Sequence, residues 1–527
     1  MNNILLFFAI VLILCVFVYK FLSKFGIPML LIFISLGIIF GENGLFKINF
    51  NNFELSRDIC TLALIFIIFF GGFGTKLSMA KPILKKALTL STLGVLFTAF
   101  FTALFSFYIL KLEWQTSLLL GAVLSSTDAA SVFSILRTHK LNLKENTASL
   151  LEIESGSNDP FAYVLTLSFI SLSGGVLKLP LLLLKQIIFG ILIGFLIARL
   201  TIYLLKRIKN LDIGFTMAFF TGTTLLTYTF TENLAGNGYI AIYLFGIIVG
   251  NSRFRGKSEI VSFFNGVTSI MQMFIFFLLG LLISPIKAFS YIMPAVILML
   301  ALTFFIRPLV VNFLLLPFKS SKKQRLLVSW AGLRGAASVV FSILVIVENR
   351  EIGFLIFNIS FIIVFLSIAI QGALVPFVSK KLDIIDENGD VLKTFNDYSG
   401  EENIDFISFE IDIYHKWIGK KIKDIELMPG VLLVLIIRNN NNIIPDGNTI
   451  IETGDKIVLC GSSFIDKNSH INLYEKTVDK NSSLCNKFIY ELEKSMFIIM
   501  IKRGNFTMIP RGNTIILEND ILVLIDR

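Results

Sequence analysis

Apolar residues fill the first 380 positions in long unbroken runs, not in the spaced stripes of a water-soluble helix. Runs of roughly 18 to 25 residues recur as far as Ser379, each long enough to cross a bilayer. About thirteen spans are predicted: 3–22, 26–41, 58–75, 86–110, 115–137, 147–171, 182–205, 213–231, 238–250, 261–284, 292–317, 326–348 and 353–377. The second and ninth are short. The first lacks a small-residue cleavage site and is expected to stay as a span. Beyond Ser379 the pattern changes. Residues 380–404 are polar and acidic and read as a linker, and short alternating segments of strand type follow.

The tail repeats itself. "RNNNNIIPDGNTIIETGDKIVL" from Arg438 aligns with "RGNFTMIPRGNTIILENDILVL" from Arg503, at an offset of 65 residues. Pro445 matches Pro510, Gly447 matches Gly512, Thr449 matches Thr514 and Asp455 matches Asp520. Two copies of one small β-rich unit are expected, with Pro-x-Gly-Asn-Thr as a tight turn.

Charge then orients the spans. The 527 residues are 55% hydrophobic and only 16% charged, where a soluble chain is about a quarter charged. Lys and Arg crowd the loops after odd-numbered spans (Lys20, Lys81, Lys206, Lys319, Arg325 and others) and are sparse after even ones. By the positive-inside rule the odd loops face the cytoplasm, which places the N-terminus outside and the tail inside. The net charge of +10 follows from this loop pattern, so no nucleic-acid partner is implied. Cys15 and Cys60 lie in apolar runs, Cys460 and Cys485 in the tail, and the three histidines are isolated. Neither a metal site nor any cofactor is expected. No nucleophile–base pair suggests an enzyme, and no "TVGYG"-like filter suggests a channel.

Acids placed inside the apolar runs carry the chemistry. A charge at the bilayer centre costs roughly 2.5–3.5 kcal/mol on insertion scales and marks a partner or a task. Residues 151–160, "LEIESGSNDP", hold Glu152, Glu154 and Asp159. Glu154 shares a helix face with Asn158, and Ser155 with Asp159. Asp159 lies about 18 Å into its span, near the midplane, with no basic residue evident at its depth. Glu154 and Arg334 are expected to form a buried structural ion pair joining the sixth and twelfth spans. Arg307 has no evident partner, and Glu152 reads as a charge at the cytoplasmic mouth. "SSTDAAS" around Asp128 and "GLRGAAS" around Arg334 are small, polar and poor helix formers. They predict two helices broken at mid-membrane, where freed carbonyls and helix ends bind ions. Asp128 either caps its broken helix or faces the ion. The two broken spans are seven apart and cross in opposite directions. That suits an inverted repeat of spans 1–6 and 8–13 with the seventh as linker.

"GAVLSSTDAASVFSIL", "LEIESGSNDP" and "WAGLRGAASVVFSI" resemble the cation:proton antiporter-1 family, and within it the bacterial CvrA/NhaP-like potassium/proton antiporters. The tail resembles the RCK C-terminal (TrkA-C) domain, a cytoplasmic ligand-sensing module. The resemblance implies that Asp159 alternates between cation and proton, with Thr127, Asp128, Ser155 and Asn158 at the cation site. It implies that Asn158 marks an electroneutral class, and that Glu154 and Arg334 are a structural pair. It also implies a homodimer in the bacterial cytoplasmic membrane, whose core moves like an elevator. The second tail copy departs from the usual extension of this type. The expected architecture is therefore an all-α polytopic membrane domain (1–379) with about thirteen transmembrane helices, inverted repeats and two crossed broken helices. A linker (380–404) and two small α+β, β-rich domains (405–461 and 470–527) follow. The expected activity is K+/H+ exchange regulated by a small ligand on the tail. Na+/H+ exchange is the alternative, and a membrane-anchored sensor a more distant one.

Overall fold

The chain is described from a computed structural model covering residues 2–525, except 23–27, 76–80, 129–130, 133–134, 137–140, 172–178, 209–211, 253, 255–256, 387–403, 413, 429–430, 439–440, 463–472, 479–481, 483, 493–497, 504–505, 509, 511 and 513. Most of the expected linker and parts of the fifth span thus lie outside the described residues. Two compact units result, Met1–Glu401 and Glu402–Arg527.

The first unit is helical. In chain order its helices are α1 (Asn2–Leu22), α2 (Met29–Phe40), α3 (Phe53–Gly74), α4 (Leu84–Tyr108), α5 (Trp114–Val123), α6 (Thr147–Ile170) and α7 (Leu179–Arg207). There follow α8 (Ile213–Asn233), α9 (Gly238–Gly250), α10 (Lys257–Leu282), α11 (Pro285–Phe318), α12 (Lys322–Trp330), α13 (Ala336–Glu348), α14 (Arg350–Gly372) and α15 (Val375–Lys381). Among the described residues, five helices are long and apolar enough to cross a membrane alone: α4, α7, α10, α11 and α14. The expected count of thirteen is therefore not reached by length and composition. In the sixth span the three carboxylates of α6, and in the fifth and twelfth an interruption, account for this, whereas α2 and α9 are short, at 12 and 13 residues.

Both interruptions fall where small polar residues were expected to break a helix. α5 stops at Val123, and residues 126–128 have no regular secondary structure; helix is found again at Ser131. α12 stops at Trp330, residues 332–335 have no regular secondary structure, and α13 starts at Ala336. The two gaps meet backbone to backbone, with the Asp128 amide donating to the Leu333 carbonyl at 2.8 Å. Three further irregularities are π-helical turns: Leu90–Gly94 in α4, Leu302–Ile306 in α11 and Ser367–Gly372 in α14. Such turns recur at functional positions, and the one in α11 immediately precedes Arg307.

Residues just after α15 are stitched to the loop before α6. Leu143 and Ile385 form an antiparallel bridge, Lys144 donates to the Ile384 carbonyl at 2.8 Å and Asp386 donates to Asn142 at 3.0 Å. Ile384 is buried in one apolar cluster with Leu143, Leu150, Leu327 and Val375. Asp383 receives Lys323 at 2.8 Å and lies 3.6 Å from Lys144. The Lys323 hydrogen bond and the Lys144 charge hold its carboxyl below the ordinary aspartate value.

The second unit holds two four-stranded sheets. The strands are β1 (Ile404–Glu410), β2 (Val431–Arg438), β3 (Asn441–Ile443), β4 (Lys456–Ser462), β5 (Leu473–Thr477), β6 (Ile498–Arg503), β7 (Phe506–Met508) and β8 (Ile521–Ile525). Their orders are β1-β4-β2-β3 and β5-β8-β6-β7, the same topology twice, antiparallel throughout. The repeat runs further upstream than the matched sequence. There its offset is 67: the Ile411–Asp455 and Val478–Asp520 backbone bonds correspond, as do the Lys421–Ile450 and Phe488–Ile515 bridges. Two residues are lost between the 3₁₀ turn and β6, which hid this half of the duplication. Gly419 and Asn486 have φ of 75° and 61°, Gly454 and Asn519 of 82° and 66°. Asparagine is one of the few other residues that adopts this left-handed region readily.

One ion pair is built twice. The Arg438 guanidinium bridges both Asp455 oxygens at 2.7 and 2.8 Å and also donates to the Ile450 carbonyl. Arg503 does the same to Asp520 and Ile515. Burial alone would raise each carboxyl. The arginine fork and a backbone amide (of Glu452 or Leu517) outweigh it, so both aspartates lie below their ordinary value. Their contribution is therefore full above the unfolded value of about 3.9 and is lost as pH falls through the lower folded value. Arg438→Met and Arg503→Met should each loosen only its own sheet, by on the order of 2–3 kcal/mol. Hydrogen exchange of the β2/β4 and β6/β8 amides in the full-length protein measures this. Equal loosening of both sheets by either variant would contradict it.

Candidate functional site

α6 brings the acids to the crossing. Asp159 lies halfway along this helix of 24 residues. Pro160 follows it, and a proline has no amide to give to the Gly156 carbonyl one turn back. Polar acceptor capacity is thereby freed beside the carboxylate. α6 is held against the first broken helix by two bonds to Thr127. The Ser155 hydroxyl donates to the Thr127 carbonyl at 2.8 Å, and the Asn158 amide donates to the Thr127 hydroxyl at 2.5 Å. The Ser126 hydroxyl donates to the Asp159 carboxylate.

A cavity of about 110 Å³ opens on this arrangement, lined on one side by Ser126, Thr127, Asp128, Ser131 and Asp159. Asp128 accepts from the Ser131 amide at 3.3 Å and from the Ser131 hydroxyl, so it caps the resumed helix while facing the cavity. Of the two roles expected for Asp128, the structure shows the cap. Gly335 makes this possible, because a Cβ there would come within 2.4 Å of the Asp128 side chain. Asp159 has no lysine or arginine partner within ion-pair distance among the described residues. Ser155 and Asn158 lie outside the cavity lining and act by holding Thr127.

The buried ion pair differs from expectation. Glu154 pairs with Arg307, not with Arg334, and both members are almost fully buried, at 1% and 3% exposure. Arg307 follows the π-helical turn of α11. Val310, Val311 and Leu314 on that helix share an apolar cluster with Leu150 and Ile153 of α6. The Arg307 guanidinium lies against Gly332, where a Cβ would approach Nε to 2.7 Å. Arg334 is drawn elsewhere. It sits in the non-helical gap before α13 and donates to the carbonyls of Ser125 at 3.2 Å and Ser126 at 2.7 Å. These carbonyls follow the C-terminal end of α5, where the helix leaves acceptors unsatisfied and partial negative charge collects. The Arg334 amide donates to Ser367, whose hydroxyl continues to Gln371. The pair thus ties α6 to the eleventh span, and Arg334 ties the two broken helices together.

Sequence reasoning passed over Ser126, Ser131 and Gln272, which also line the cavity. The two serines stood inside the "SSTDAAS" motif, flanking its aspartate. Gln272 stood out only as a lone amide within "MQMFIFFLLGLL". No cluster of three metal-ligating side chains occurs among the described residues.

A carboxylate facing a cavity at the crossing of two broken helices, inside an apolar helical unit, defines a secondary transporter for a small cation. Residues 9–381 match the family described as "Sodium/hydrogen exchanger, transmembrane", and the chain belongs to that family. Residues 406–463 and 473–525 each match the TrkA-C domain. Over 446 residues the chain is 34% identical to the K(+)/H(+) antiporter NhaP of Alkalimonas amylolytica, covering 83% of this chain and 78% of that one. The K(+)/H(+) antiporter NhaP2 of Shewanella sp. (strain ANA-3) is 33% identical over 453 residues, with the same coverage. The Na(+)/H(+) antiporter 1 of Methanocaldococcus jannaschii is 28% identical, covering 63% of this chain and 80% of that one. The solved structure of the sodium proton antiporter MjNhaP1 from that organism, at pH 8, has the same fold. Its TM-score is 0.65 at 23% identity, covering 72% of this chain and 99% of that one. The protein is thus a membrane-embedded antiporter with a TrkA-C tail.

Removing one member of a buried pair costs roughly 3–5 kcal/mol. Glu154→Gln and Arg307→Met should each lower thermal stability in detergent, and their double-mutant cycle should show a coupling of about 1–3 kcal/mol. The cycle of Glu154→Gln with Arg334→Met should give a smaller coupling. Equal couplings in the two cycles would contradict the assigned partner.

Proposed function

We propose that this protein exchanges K+ for H+ at Asp159, one for one. The observation that carries the reading is a carboxylate in a cavity with no basic partner within ion-pair distance among the described residues. Around the crossing stand three carboxylates (Glu154, Asp128 and Asp159) and two guanidiniums (Arg307 and Arg334). Fully ionised, the group is one negative charge in excess, which one monovalent cation or one proton cancels. An uncancelled charge at that depth is costly, so the site is favoured when loaded with either. One carboxylate cannot carry both, and competition at Asp159 couples the two flows. Asp128, Thr127 and Ser126 supply oxygens to the cation, and Ser155 and Asn158 position Thr127. The Glu154–Arg307 pair and Arg334 hold the frame.

Potassium is favoured by the relatives named K+/H+ antiporters, which match more of the chain and at higher identity than the one named for sodium. The TrkA-C tails support the same choice. The domain division is 1–379 for transport, 380–404 as linker, and 405–461 and 470–527 as regulatory units. About thirteen spans run from an outer N-terminus to a cytoplasmic tail, in a homodimer whose outward apolar faces suit lipid and a second copy.

Two measurements test this. In proteoliposomes, K+ should drive proton movement, and Asp159→Asn should reduce it at least a hundredfold while the protein stays folded. Adding K+, Na+, Li+ and Rb+ separately reads selectivity, and exchange with Na+ alone would replace potassium by sodium. Wild-type rates in a folded Asp159→Asn protein would remove the mechanism. Secondly, a chain ending at Glu401, the end of the first compact unit, should keep exchange and lose part of its pH or ligand dependence. Superimposable curves of rate against pH would deny the tail a regulatory role.

A further inference from the structure

The two sides of the cavity differ in chemistry. The first broken helix and α6 contribute the polar groups Ser126, Thr127, Asp128, Ser131 and Asp159, while the second broken helix adds only the small residues Gly335, Ala336 and Ala337. The facing wall is built by α2, α3 and α10 and is apolar: Pro28, Met29, Leu30, Leu64, Ile67, Ile275 and Phe276. One residue breaks it. Gln272 of α10 is the one hydrogen-bonding side chain that this wall contributes. It shares a helix face with Ile275 and Phe276, three and four residues on, which line the same cavity. The side chain is half-buried. It makes no hydrogen bond with another described residue, and it lines the cavity.

We propose that Gln272 is a cation-specificity residue: its amide oxygen completes the shell of the metal ion opposite Asp159 and takes no part in proton binding. The inference rests on the exchange reading above and adds a residue from the opposite wall. A carboxylate binds both a metal ion and a proton, and its affinity for one is always contested by the other. A primary amide offers a neutral carbonyl oxygen with two lone pairs, and it is not protonated at physiological pH. An alkali cation entering the cavity must exchange hydration oxygens for protein oxygens, as in carbonyl-lined filters. A cavity of about 110 Å³ holds a cation with some of its waters, since liquid water occupies roughly 30 Å³ per molecule. On the side away from Asp159, Gln272 replaces one of the waters that an apolar wall could not. It therefore raises affinity for the metal ion alone and shifts the competition at Asp159 in the ion's favour.

The experiment compares full-length wild type with Gln272→Leu and Gln272→Met in proteoliposomes, with K+ as the varied ion and pH as the second axis. The KM for K+ should rise five- to tenfold, and that rise should account for most of the fall in kcat/KM. At one fixed K+ concentration the acid limb of the rate should move toward higher pH by about 0.7–1 unit, the logarithm of the same factor. With K+ set to the same multiple of each variant's KM, the pH profiles should superimpose. A residue that merely packs would lower kcat and stability without this pattern. Thermal stabilisation of the detergent-solubilised protein by K+ gives a readout independent of turnover, and the variants should need five- to tenfold more K+ for the same rise in Tm. An unchanged KM with unchanged K+ stabilisation overturns the proposal, as does a pH profile that stays shifted at matched saturation. If wild type exchanges no alkali cation at all, the exchange reading fails first. If wild type exchanges and only the Gln272 pattern is missing, the exchange reading stands and this proposal falls.

Discussion

The Asp128 amide meets the Leu333 carbonyl at 2.8 Å, and this one backbone contact joins two helices that have both given up their continuity. In an apolar medium unsatisfied amides and carbonyls cost several kcal/mol each, so two interrupted spans are tolerable only where each answers the other. Arg334 adds to this by covering the Ser125 and Ser126 carbonyls, and Asp128 by capping the helix that resumes at Ser131. Glycine at 335 is the condition for the approach. Once the crossing exists, Thr127 is held where Ser155 and Asn158 reach it, and Asp159 comes to face the same cavity as Asp128.

Much of this was legible in the chain. Acids inside apolar runs announce themselves by cost, and small polar stretches announce a break by their low helix propensity. The position of Asp159 followed from helical rise alone. The partner of Glu154 did not follow. Arg334 and Arg307 both lie in apolar spans, and periodicity on one helix says nothing about which helix packs beside it. What decided the matter was the supply of bare carbonyls at the end of α5, which drew Arg334 away, and the packing of α11 on α6, which delivered Arg307. Gln272 was equally hidden, because a single amide in a span is visible only once the cavity it faces is known. The span count was harder to read, because several helices of this unit are short, broken or polar and do not announce a crossing by length and composition.

In the tail, a match of letters at one offset revealed half of a duplication that the backbone shows in full. A two-residue deletion breaks the alignment but not the fold, since the hydrogen bonds on either side keep their partners. Arg438 with Asp455 and Arg503 with Asp520 survive in both copies, as do the left-handed positions, where asparagine stands in for glycine. Each copy thus carries its own ion pair and its own turn geometry, and neither borrows these from the other sheet.

The stitch between Ile385 and Leu143 has a consequence for how the protein is made. Synthesis runs from the N-terminus, so the loop that leads into α6 emerges well before the residues that bridge to it. Until the ribosome has passed Asp386, Asn142 and Lys144 lack their backbone partners, and the Leu143 side chain lacks the cover of Ile384. The N-terminal seat of the helix bearing Asp159 is therefore completed only after α15 has been made. A chain released early has every carboxylate that lines the cavity and an unfinished seat for the helix that carries Asp159.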